Sequence, residues 1–559
     1  MYRYSNPNRL PVQAVVAAWK WFVRKRAVRL PIGAVELQLK VRGTLSREAA
    51  DRLHITADGL APMTAWFNWV FPSLATLRAR QTTSKGCIMT GTRAAHPSVE
   101  ERRARGKLAR KQATPDSHVG WRPAPDRPDP LGLLKEQDAT READLVPVRH
   151  GRMMVSPFTF YRGSAKIMAA DLDGTPTAGL NVQLCGDAHL SNFGVFASPE
   201  RTLLFDLNDF DETLPGPFEY DVKRLATSFT IAGRNNRFSK SDARTATSAS
   251  VTAYREAMAE FATMGVMQTW YARLSEDDVL NLGRAATVGN KKQKTMLQSA
   301  QKELGKAHTR DSLQALSQLA EDVGGQYRII SQPPIVIPAR DLAEVFGSAE
   351  QVMKLVEDQL RAYRTTLPED KHQLLDSFEL VDVARKVVGV GSVGTRAFIG
   401  LLQGRDKDDP LFLQVKEATS SVLEDHLPKS RYRNHGQRVV EGQRKMQAAS
   451  DIFLGWTKGV DANRDYYWRQ LRDMKGSADV EAMMPIGMTT YARACGWTLA
   501  RAHARSGDAI AIAAYLGKSD RFDRSITEFS QRYANQNEQD YEQFTTAIRS
   551  GALNALEGV

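Results

Sequence analysis

Asp187, His189 and Asn192 occupy one short loop, and their types and spacing suit the transfer of a phosphoryl group. Such a transfer needs a carboxylate that orients the attacking hydroxyl and accepts its proton, with a neutral oxygen ligand for magnesium nearby. Asp187 precedes Asn192 by five positions, so one loop can present both groups on the same side of a phosphate. We therefore predict Asp187, His189 and Asn192 as catalytic residues, with the Asn192 amide oxygen also binding the metal.

An acidic run at residues 205–212, Phe-Asp-Leu-Asn-Asp-Phe-Asp-Glu, predicts the rest of the metal site. Asp209 is the preferred magnesium ligand, because Asp209-Phe210 matches the start of the Asp-Phe-Gly motif of kinases. Asp221 then follows at the matching distance on the next helix. Asp206 and Asp211 remain alternatives, since Asp211 stands where that motif has glycine. Taken alone, the run would equally describe an acidic surface turn.

A glycine-rich run lies further downstream, with Gly389, Gly391 and Gly394 spaced as Gly-x-Gly-x-x-Gly. The pattern occurs in dinucleotide-binding folds, where a helix must follow at once, and in kinases, where a hairpin covers the phosphates. Here residues 397–402 are strand-like, a charged turn follows, and the next strand ends in Lys416. The sequence thus predicts an ATP-binding hairpin whose glycines and Lys416 contact phosphate oxygens.

A carboxylate partner for Lys416 is expected on a following helix, because such a lysine must be held in position. Glu441 is the better candidate, since it lies in a helical stretch around residues 437–450. Glu424 is the runner-up, and either side chain would otherwise be an ordinary exposed helix charge.

The elements around these motifs predict an α+β fold. Short strands at 181–185, 193–196 and 202–207 flank the first two motifs, and an amphipathic helix begins at Tyr220. A helix is also expected over residues 160–172. These elements would hold the catalytic loop and the acidic run side by side.

The motifs of a two-lobed kinase therefore occur in reversed order along the chain. We predict a helical catalytic lobe with an insertion at 145–380, a nucleotide lobe at 381–477 and C-terminal helices at 478–559 that rejoin the catalytic lobe. Such a circular permutation need not change a packed fold, because chain ends often lie close together.

Two resemblances accompany these motifs. The form Gly-Asp-x-His-x-x-Asn resembles aminoglycoside phosphotransferases and related small-molecule kinases of the protein-kinase-like superfamily, although Cys185 stands where they usually have histidine. From about Val99 to the C-terminus, the chain also resembles a bacterial family called domain of unknown function 2252, whose name implies no activity. This second resemblance is carried by Arg152-Met153, Ser156-Pro157-Phe158, Tyr161-Arg162-Gly163, residues 185–194 and residues 208–212.

The N-terminal segment differs from the remainder in charge. Residues 1–88 contain 14 Lys and Arg against four Asp and Glu, which leaves a net charge of only +2 on the remainder out of +12 for the chain. The body therefore lacks the basic surface of a nucleic-acid-binding protein. We interpret residues 1–88 as a basic extension dispensable for function, with a membrane-surface or targeting segment as the alternative. Residues 89–144 are predicted to be an extended or partly disordered arm.

Further composition features favour a cytoplasmic protein. The three cysteines stand far apart, which argues against a disulfide framework. No apolar run reaches the length of roughly 18 residues that a membrane-spanning helix needs. We therefore expect no integral membrane segment.

The favoured function is that of an ATP- and magnesium-dependent phosphotransferase acting on an unidentified small molecule or protein. The alternatives are transfer of AMP, a nucleotide-binding pseudoenzyme, and a metal-dependent hydrolase built on Asp187, His189, Asp206, Asp209 and Asp211. The favoured interpretation makes a geometric prediction. The Lys416 ammonium should lie about 3–6 Å from the Asp209 carboxylate, because both must serve one set of phosphates.

Overall fold

The structure, a computed structural model, describes residues 96–286, 291–342, 348–387, 389–460, 463–471 and 474–558. The extension predicted at 1–88 and the first residues of the arm lie outside these ranges. From His96 onward the chain forms one compact unit. The boundaries predicted at 380 and 477 therefore do not separate compact units. No helix among the described residues is long and apolar enough to cross a bilayer.

Helices make up most of the described chain. The α-helices, in chain order, are α1 Val99–Gln112, α2 Pro130–Asp138, α3 Val146–Met153, α4 Pro157–Gly163, α5 Ala165–Leu172, α6 Phe218–Asn235, α7 Lys240–Phe261, α8 Val266–Tyr271, α9 Glu276–Ala285, α10 Lys291–His308, α11 Ser312–Leu319, α12 Ala349–Arg364, α13 Glu369–Leu375, α14 His435–Met446, α15 Pro485–Ser506, α16 Ala509–Leu516 and α17 Arg521–Arg549. The single helix expected over 160–172 is instead the pair α4 and α5, because Ser164 leaves the helical conformation between them.

The strands form antiparallel sheets. In chain order they are β1 Asn181–Leu184, β2 Phe193–Ala197, β3 Leu203–Leu207, β4 Leu214–Pro217, β5 Leu274–Ser275, β6 Ala320–Val323, β7 Gln326–Ile329, β8 Val336–Pro338, β9 Glu379–Lys386, β10 Ala397–Gln403, β11 Pro410–Ala418, β12 Gly455–Lys458, β13 Asp465–Gln470 and β14 Gly476–Ser477. The mixed α+β class predicted from sequence is confirmed.

The largest sheet has six strands in the order β12-β13-β11-β10-β9-β8. Five of its strands fall in the region predicted to form the nucleotide lobe, and β8 joins them from earlier in the chain. The glycine run occupies the loop of the β9–β10 hairpin, and β10 pairs with β11 so that Ala397 is opposite Lys416. This register brings Lys416 to the same end of the sheet as the glycines.

Two small sheets carry the other motifs. β1 pairs with β4, while β2 and β3 form a hairpin within a four-stranded sheet of order β14-β2-β3-β5. The strands predicted around the catalytic loop are thus present. The loop at 185–192 connects β1 to β2, and the acidic run follows β3 directly, so both motifs emerge at one edge of these sheets.

The main hydrophobic core joins distant segments of the chain. It includes Leu184 and Leu207 from the short strands, Phe229 from α6, Val440 from α14 and Leu499 from α15. As predicted, the C-terminal helices pack beside the helices that follow residue 156, since Phe160 lies 5.3 Å from Phe544 between ring centroids. Smaller separate clusters lie beside the large sheet and between α4 and α17. The main core joins strands and helices from distant parts of the chain, in agreement with the single unit from His96 onward.

The arm predicted at 89–144 is wrong for the residues that are described. Helices α1 and α2 form there, and Ser98 caps α1 in a capping box with Glu101. The charged composition of α1 suggested disorder, but the helix is held by tertiary contacts that composition does not show. Arg102 pairs with Asp508 at 2.9 Å, and Arg110 donates to the carbonyl of Leu516.

Candidate active site

The loop that carries Asp187 is held at its start by hydrogen bonds to Asp221. The Asp221 carboxylate accepts hydrogen bonds from the backbone N–H groups of Cys185 at 2.6 Å and Gly186 at 3.0 Å. His503 Nε2 lies 3.2 Å from the same carboxylate. Gly186 has φ +84°, and a Cβ there would fall 2.2 Å from the carbonyl oxygen of Glu212, so only glycine fits this turn.

Asp187 presents a partly exposed carboxylate at the end of this turn. Arg224 on α6 contacts its Oδ1 with Nε at 2.8 Å and Nη2 at 2.7 Å. His189 Nε2 lies 3.7 Å from Oδ2, and burial lowers the pKa of His189 to about 4, so the imidazole is neutral at pH 7. A carboxylate with one oxygen paired to arginine and the other near a neutral imidazole can accept a hydrogen bond from a hydroxyl.

Asn192 fastens the catalytic loop to the acidic run. Its Oδ1 accepts the backbone N–H of Asp209 at 2.6 Å, and its Nδ2 donates to the carbonyl of Asp209 at 2.9 Å and that of Asp187 at 3.1 Å. The side chain therefore sets the spacing between Asp187 and Asp209. Metal binding by Asn192 stays a prediction.

Lys416 joins the sheet to the acidic run. Its Nζ lies 2.6 Å from Asp211 Oδ2 and 3.8 Å from Asp209 Oδ2, within the predicted range. Ser392 of the glycine run completes the contact, with its Oγ 3.3 Å from Lys416 Nζ and 3.2 Å from Asp211 Oδ2. The Tyr467 hydroxyl donates to Asp211 Oδ1 at 2.7 Å. Segments separated by about two hundred positions thus meet at one point.

The charges in this cluster reinforce one another. Burial alone would raise the pKa of Asp211, but Lys416 and the Tyr467 hydroxyl outweigh it and hold that pKa at about 2. Desolvation inside the cavity and the neighbouring Asp211 charge raise the pKa of Asp209. Burial would lower the pKa of Lys416, yet the two carboxylates raise it above its usual range. Lys416 therefore remains a cation in the folded protein.

Asp206 is not part of this cluster, which corrects its place among the metal ligands. Its side chain is 1% exposed and pairs with Arg501 on α15, whose side chain is equally buried. Asp206 also accepts the backbone N–H groups of Leu207 and Ala448. Because it lies within β3 and faces the core, Asp206 serves as a structural ion pair.

Glu441 does not contact Lys416, so the predicted pair is wrong. Glu441 lies 3.3 Å from Arg444 on the same helix, and the runner-up Glu424 lies 3.8 Å from Arg438. Glu441 was expected to hold Lys416 in position. Asp211 and Asp209 do so instead, since their carboxylates lie 2.6 and 3.8 Å from Lys416 Nζ.

A cavity of about 410 Å³ lies between the catalytic loop, the acidic run and the glycine run. Its walls include, from the three predicted motifs, Asp187, His189, Asn192, Asp209, Asp211, Gly389 and Gly391. Gly389 and Gly394 have φ +71° and +89°, which a side chain would strain. The volume lies in the range of small-ligand sites. Gly394 is packed against Arg141 rather than open to this space.

Comparison with known proteins assigns a family. A family model described as "Uncharacterized protein conserved in bacteria (DUF2252)" matches residues 141–547, well over half of the chain. The chain belongs to the DUF2252 family. No match was found among curated proteins or among solved structures. The matched range contains each of the three motifs, so the site described above lies within the DUF2252 region.

The carboxylates of this DUF2252 site suit a magnesium ion that is shared with phosphates. No group of three or more His, Cys, Asp and Glu side chains that could hold a metal is found within the described ranges. Magnesium is commonly bound through one or two carboxylates, with phosphate and water oxygens completing its shell. Asp209, whose side chain is 42% exposed and lines the cavity, and Asp211 fit that limited role.

Several residues of the DUF2252 site were not predicted from sequence. Arg224 lies on the predicted amphipathic helix, Ser392 lies inside the glycine run, and Tyr467 lies on β13. Ser392 could have been predicted, because its position within the glycine run places it next to the expected phosphate-binding glycines. Arg224 and Tyr467 had none, since a charged or aromatic residue within a regular element is ordinary.

Proposed function

We propose that this protein is an ATP- and magnesium-dependent phosphotransferase with a kinase-like arrangement in circularly permuted order. The observation that carries the proposal is the contact of Lys416 with Ser392 and with the Asp209–Asp211 pair, at the wall of a cavity that Asp187 also lines. Phosphoryl transfer is achieved mainly by positioning and by neutralising phosphate charge, which this combination supplies.

The sheet would hold the phosphates of ATP. Residues 389–392, Asp209 and Asp211 line the cavity, and the buried Lys416 lies directly behind the two carboxylates. Lys416 would then exchange part of its contact with Asp211 for phosphate oxygens. Magnesium would screen the phosphates and bind through Asp209 and Asp211.

Asp187 would act on the acceptor. The acceptor hydroxyl oxygen attacks the γ-phosphorus, the bond to the bridging β–γ oxygen breaks, and the electron pair leaves with ADP. The hydroxyl proton passes to Asp187, which Arg224 orients through Oδ1. A positioned base of this kind contributes roughly two to four orders of magnitude in rate.

The reversed order of motifs is supported by the connections of the chain. The loop at 185–192 and the acidic run precede the glycine hairpin, and α15 to α17 return to pack against the helices around Phe160. A phosphotransferase of this kind would have its catalytic residues encoded before its phosphate-binding hairpin.

The test uses magnesium and ATP labelled at the γ- or the α-phosphate. We expect the γ-label to appear on an acceptor, on the protein or as phosphate, and the α-label to remain in ADP. Transfer of the α-label would favour the AMP-transfer alternative instead. Binding of ATP without movement of either label would indicate a pseudoenzyme.

Lys416→Met tests the assignment of the cavity. The variant should bind MgATP at least tenfold more weakly in calorimetry, because a charge-assisted contact to phosphate is lost. Lys407→Met is the matched control, since Lys407 lies in the exposed turn before β11 with a side chain that is 55% exposed. Equal MgATP affinity of the Lys416 variant and wild type would refute the proposed function.

A further inference from the structure

Arg162, the penultimate residue of α4, lines the candidate active-site cavity without a protein partner. Its guanidinium makes no hydrogen bond or ion pair to any residue that the structure describes, and its Nε is fully buried. Burial lowers the pKa of Arg162, as expected for a cation whose charge is not balanced by direct contact. A half-buried guanidinium that lacks acceptors costs free energy, so its presence in a cavity indicates a ligand.

Two other cations of the same cavity have direct partners. Lys166 Nζ lies 3.0 Å from Asp425 and 3.1 Å from Glu136. Arg469 donates to Gln414 at 2.9 Å. Lys475 also lines the cavity, and burial lowers its pKa to about 7. Arg162 is thus a guanidinium of this cavity that lacks the direct partners of Lys166 and Arg469.

The position of Arg162 narrows the ligand. A Cβ on Gly391 would lie 3.1 Å from the Arg162 carbonyl oxygen, so the residue abuts the glycine run. Asp187 lines the cavity nearby and is already paired twice with Arg224, at 2.7 and 2.8 Å. Asp187 therefore already has a direct counterion, and its interaction with Arg162 is through space. Arg162 lies where the end of a phosphate chain and an acceptor hydroxyl would meet.

We propose that Arg162 binds an oxyanion at this end of the cavity, and that in the proposed reaction the oxyanion is the γ-phosphoryl group. This inference rests on the proposed function. Arginine matches phosphate geometry with two parallel hydrogen bonds, and an arginine supplied at the γ-phosphate stabilises the charge of the transfer. An anionic group on the acceptor would offer the same chemistry from a second source.

Calorimetry on the full chain separates these sources, with MgATP, MgADP and inorganic phosphate as probes. Arg162→Gln removes the charge, Arg162→Lys keeps it, and Lys166→Gln is the matched control because Lys166 already has two carboxylate partners. We expect Arg162→Gln to weaken the binding of MgATP about 10- to 100-fold and to leave the affinity for MgADP within about threefold of wild type, since only ATP has the γ-phosphate. Arg162→Lys should retain part of the affinity, and Lys166→Gln should resemble wild type.

Each further outcome has a defined meaning. A second outcome is that Arg162→Gln binds MgATP and MgADP with wild-type affinity, but that its MgADP complex no longer binds the phosphate that the wild-type MgADP complex binds. In that case the oxyanion belongs to the acceptor. Wild-type behaviour of Arg162→Gln with all three probes would overturn the Arg162 site and leave the phosphotransferase proposal intact. A wild-type protein that binds neither nucleotide would refute the proposed function. Phosphate that raises the melting temperature of wild type but not of Arg162→Gln would then still support the anion site.

Discussion

At the scale of single residues, Asp206 and Asp209 look interchangeable in the sequence and differ completely in surroundings. Asp206 is enclosed with Arg501, whereas Asp209 lines the cavity near Lys416. The sequence pattern of the strand could not distinguish the two residues, because β3 is buried on both faces and shows no alternation of buried and exposed positions. Only the packing of α15 against β3, which is a long-range contact, determines that Asp206 faces the core.

Substitution should expose this difference. Asp206→Asn should lower the free energy of unfolding by about 3–5 kcal/mol, because the buried charge of Arg501 loses its counterion. Asp209→Asn should change it by less than about 1 kcal/mol but should abolish the magnesium dependence of ATP binding. Urea unfolding and magnesium titrations measure the two effects. Equal destabilisation by both substitutions would contradict the assignment.

Glu212 gives the fold a pH dependence of definite sign. Burial raises the pKa of Glu212 from 4.5 to about 7, although the backbone N–H of Val422 donates to it. The folded protein binds the Glu212 proton more tightly than the unfolded chain does. The contribution of Glu212 to the free energy of unfolding is therefore full below about pH 4.5 and is lost as the pH rises through about 7. Glu212→Gln should flatten this loss in urea unfolding between those values. A variant with the wild-type pH slope would show that Glu212 does not titrate there.

At the scale of elements, the sequence predicted helices and strands better than it predicted their partners. Strands β10 and β11 and helix α14 occur close to where their patterns indicated. Glu441 nevertheless lies away from Lys416, because the rotation of an amphipathic helix depends on what it packs against. Arg438, one turn earlier on α14, points to the acidic run and donates to the carbonyls of Asp211 and Thr213 at 2.8 Å.

A pair of substitutions on α14 tests which residue matters. Arg438→Met should weaken MgATP binding about three- to tenfold and lower stability by about 1–3 kcal/mol, since three carbonyl acceptors lose a buried donor. Glu441→Gln should leave both quantities unchanged, because its contact with Arg444 is a surface pair. Calorimetry and urea unfolding provide the measurements. Loss of nucleotide binding in Glu441→Gln alone would restore the sequence-based pairing.

At the scale of the whole molecule, residues 96–144 are integral to the fold. Arg127 pairs with Asp171 and Asp540 at 2.6 Å each, and both carboxylates have side chains that are 3% exposed. His118 contacts the Tyr515 hydroxyl at 2.8 Å. Composition could not reveal this, because Asp540 and Tyr515 lie about four hundred positions away from Arg127 and His118.

Truncation should locate the start of the folded protein. A chain beginning at residue 96 should unfold with the free energy of the full chain, whereas one beginning at residue 145 should lose several kcal/mol, since two buried carboxylates lose Arg127. Arg127→Met in the longer chain is the control that isolates the ion pairs. Equal stability of the two truncated chains would mean that α1 and α2 are accessory.

The separation of Asp211 from Lys416 has a consequence for synthesis of the protein. The two residues are 205 positions apart, and the carboxylate is made first. At an elongation rate of about 5–20 residues per second, roughly 10–40 s pass before its counterion is polymerised. During that interval Asp209 and Asp211 have no lysine between them, and the closing helices α15 to α17 do not yet exist. A ribosome-bound chain stalled before residue 416 should therefore bind no nucleotide, and this protein should acquire its site only near the end of translation.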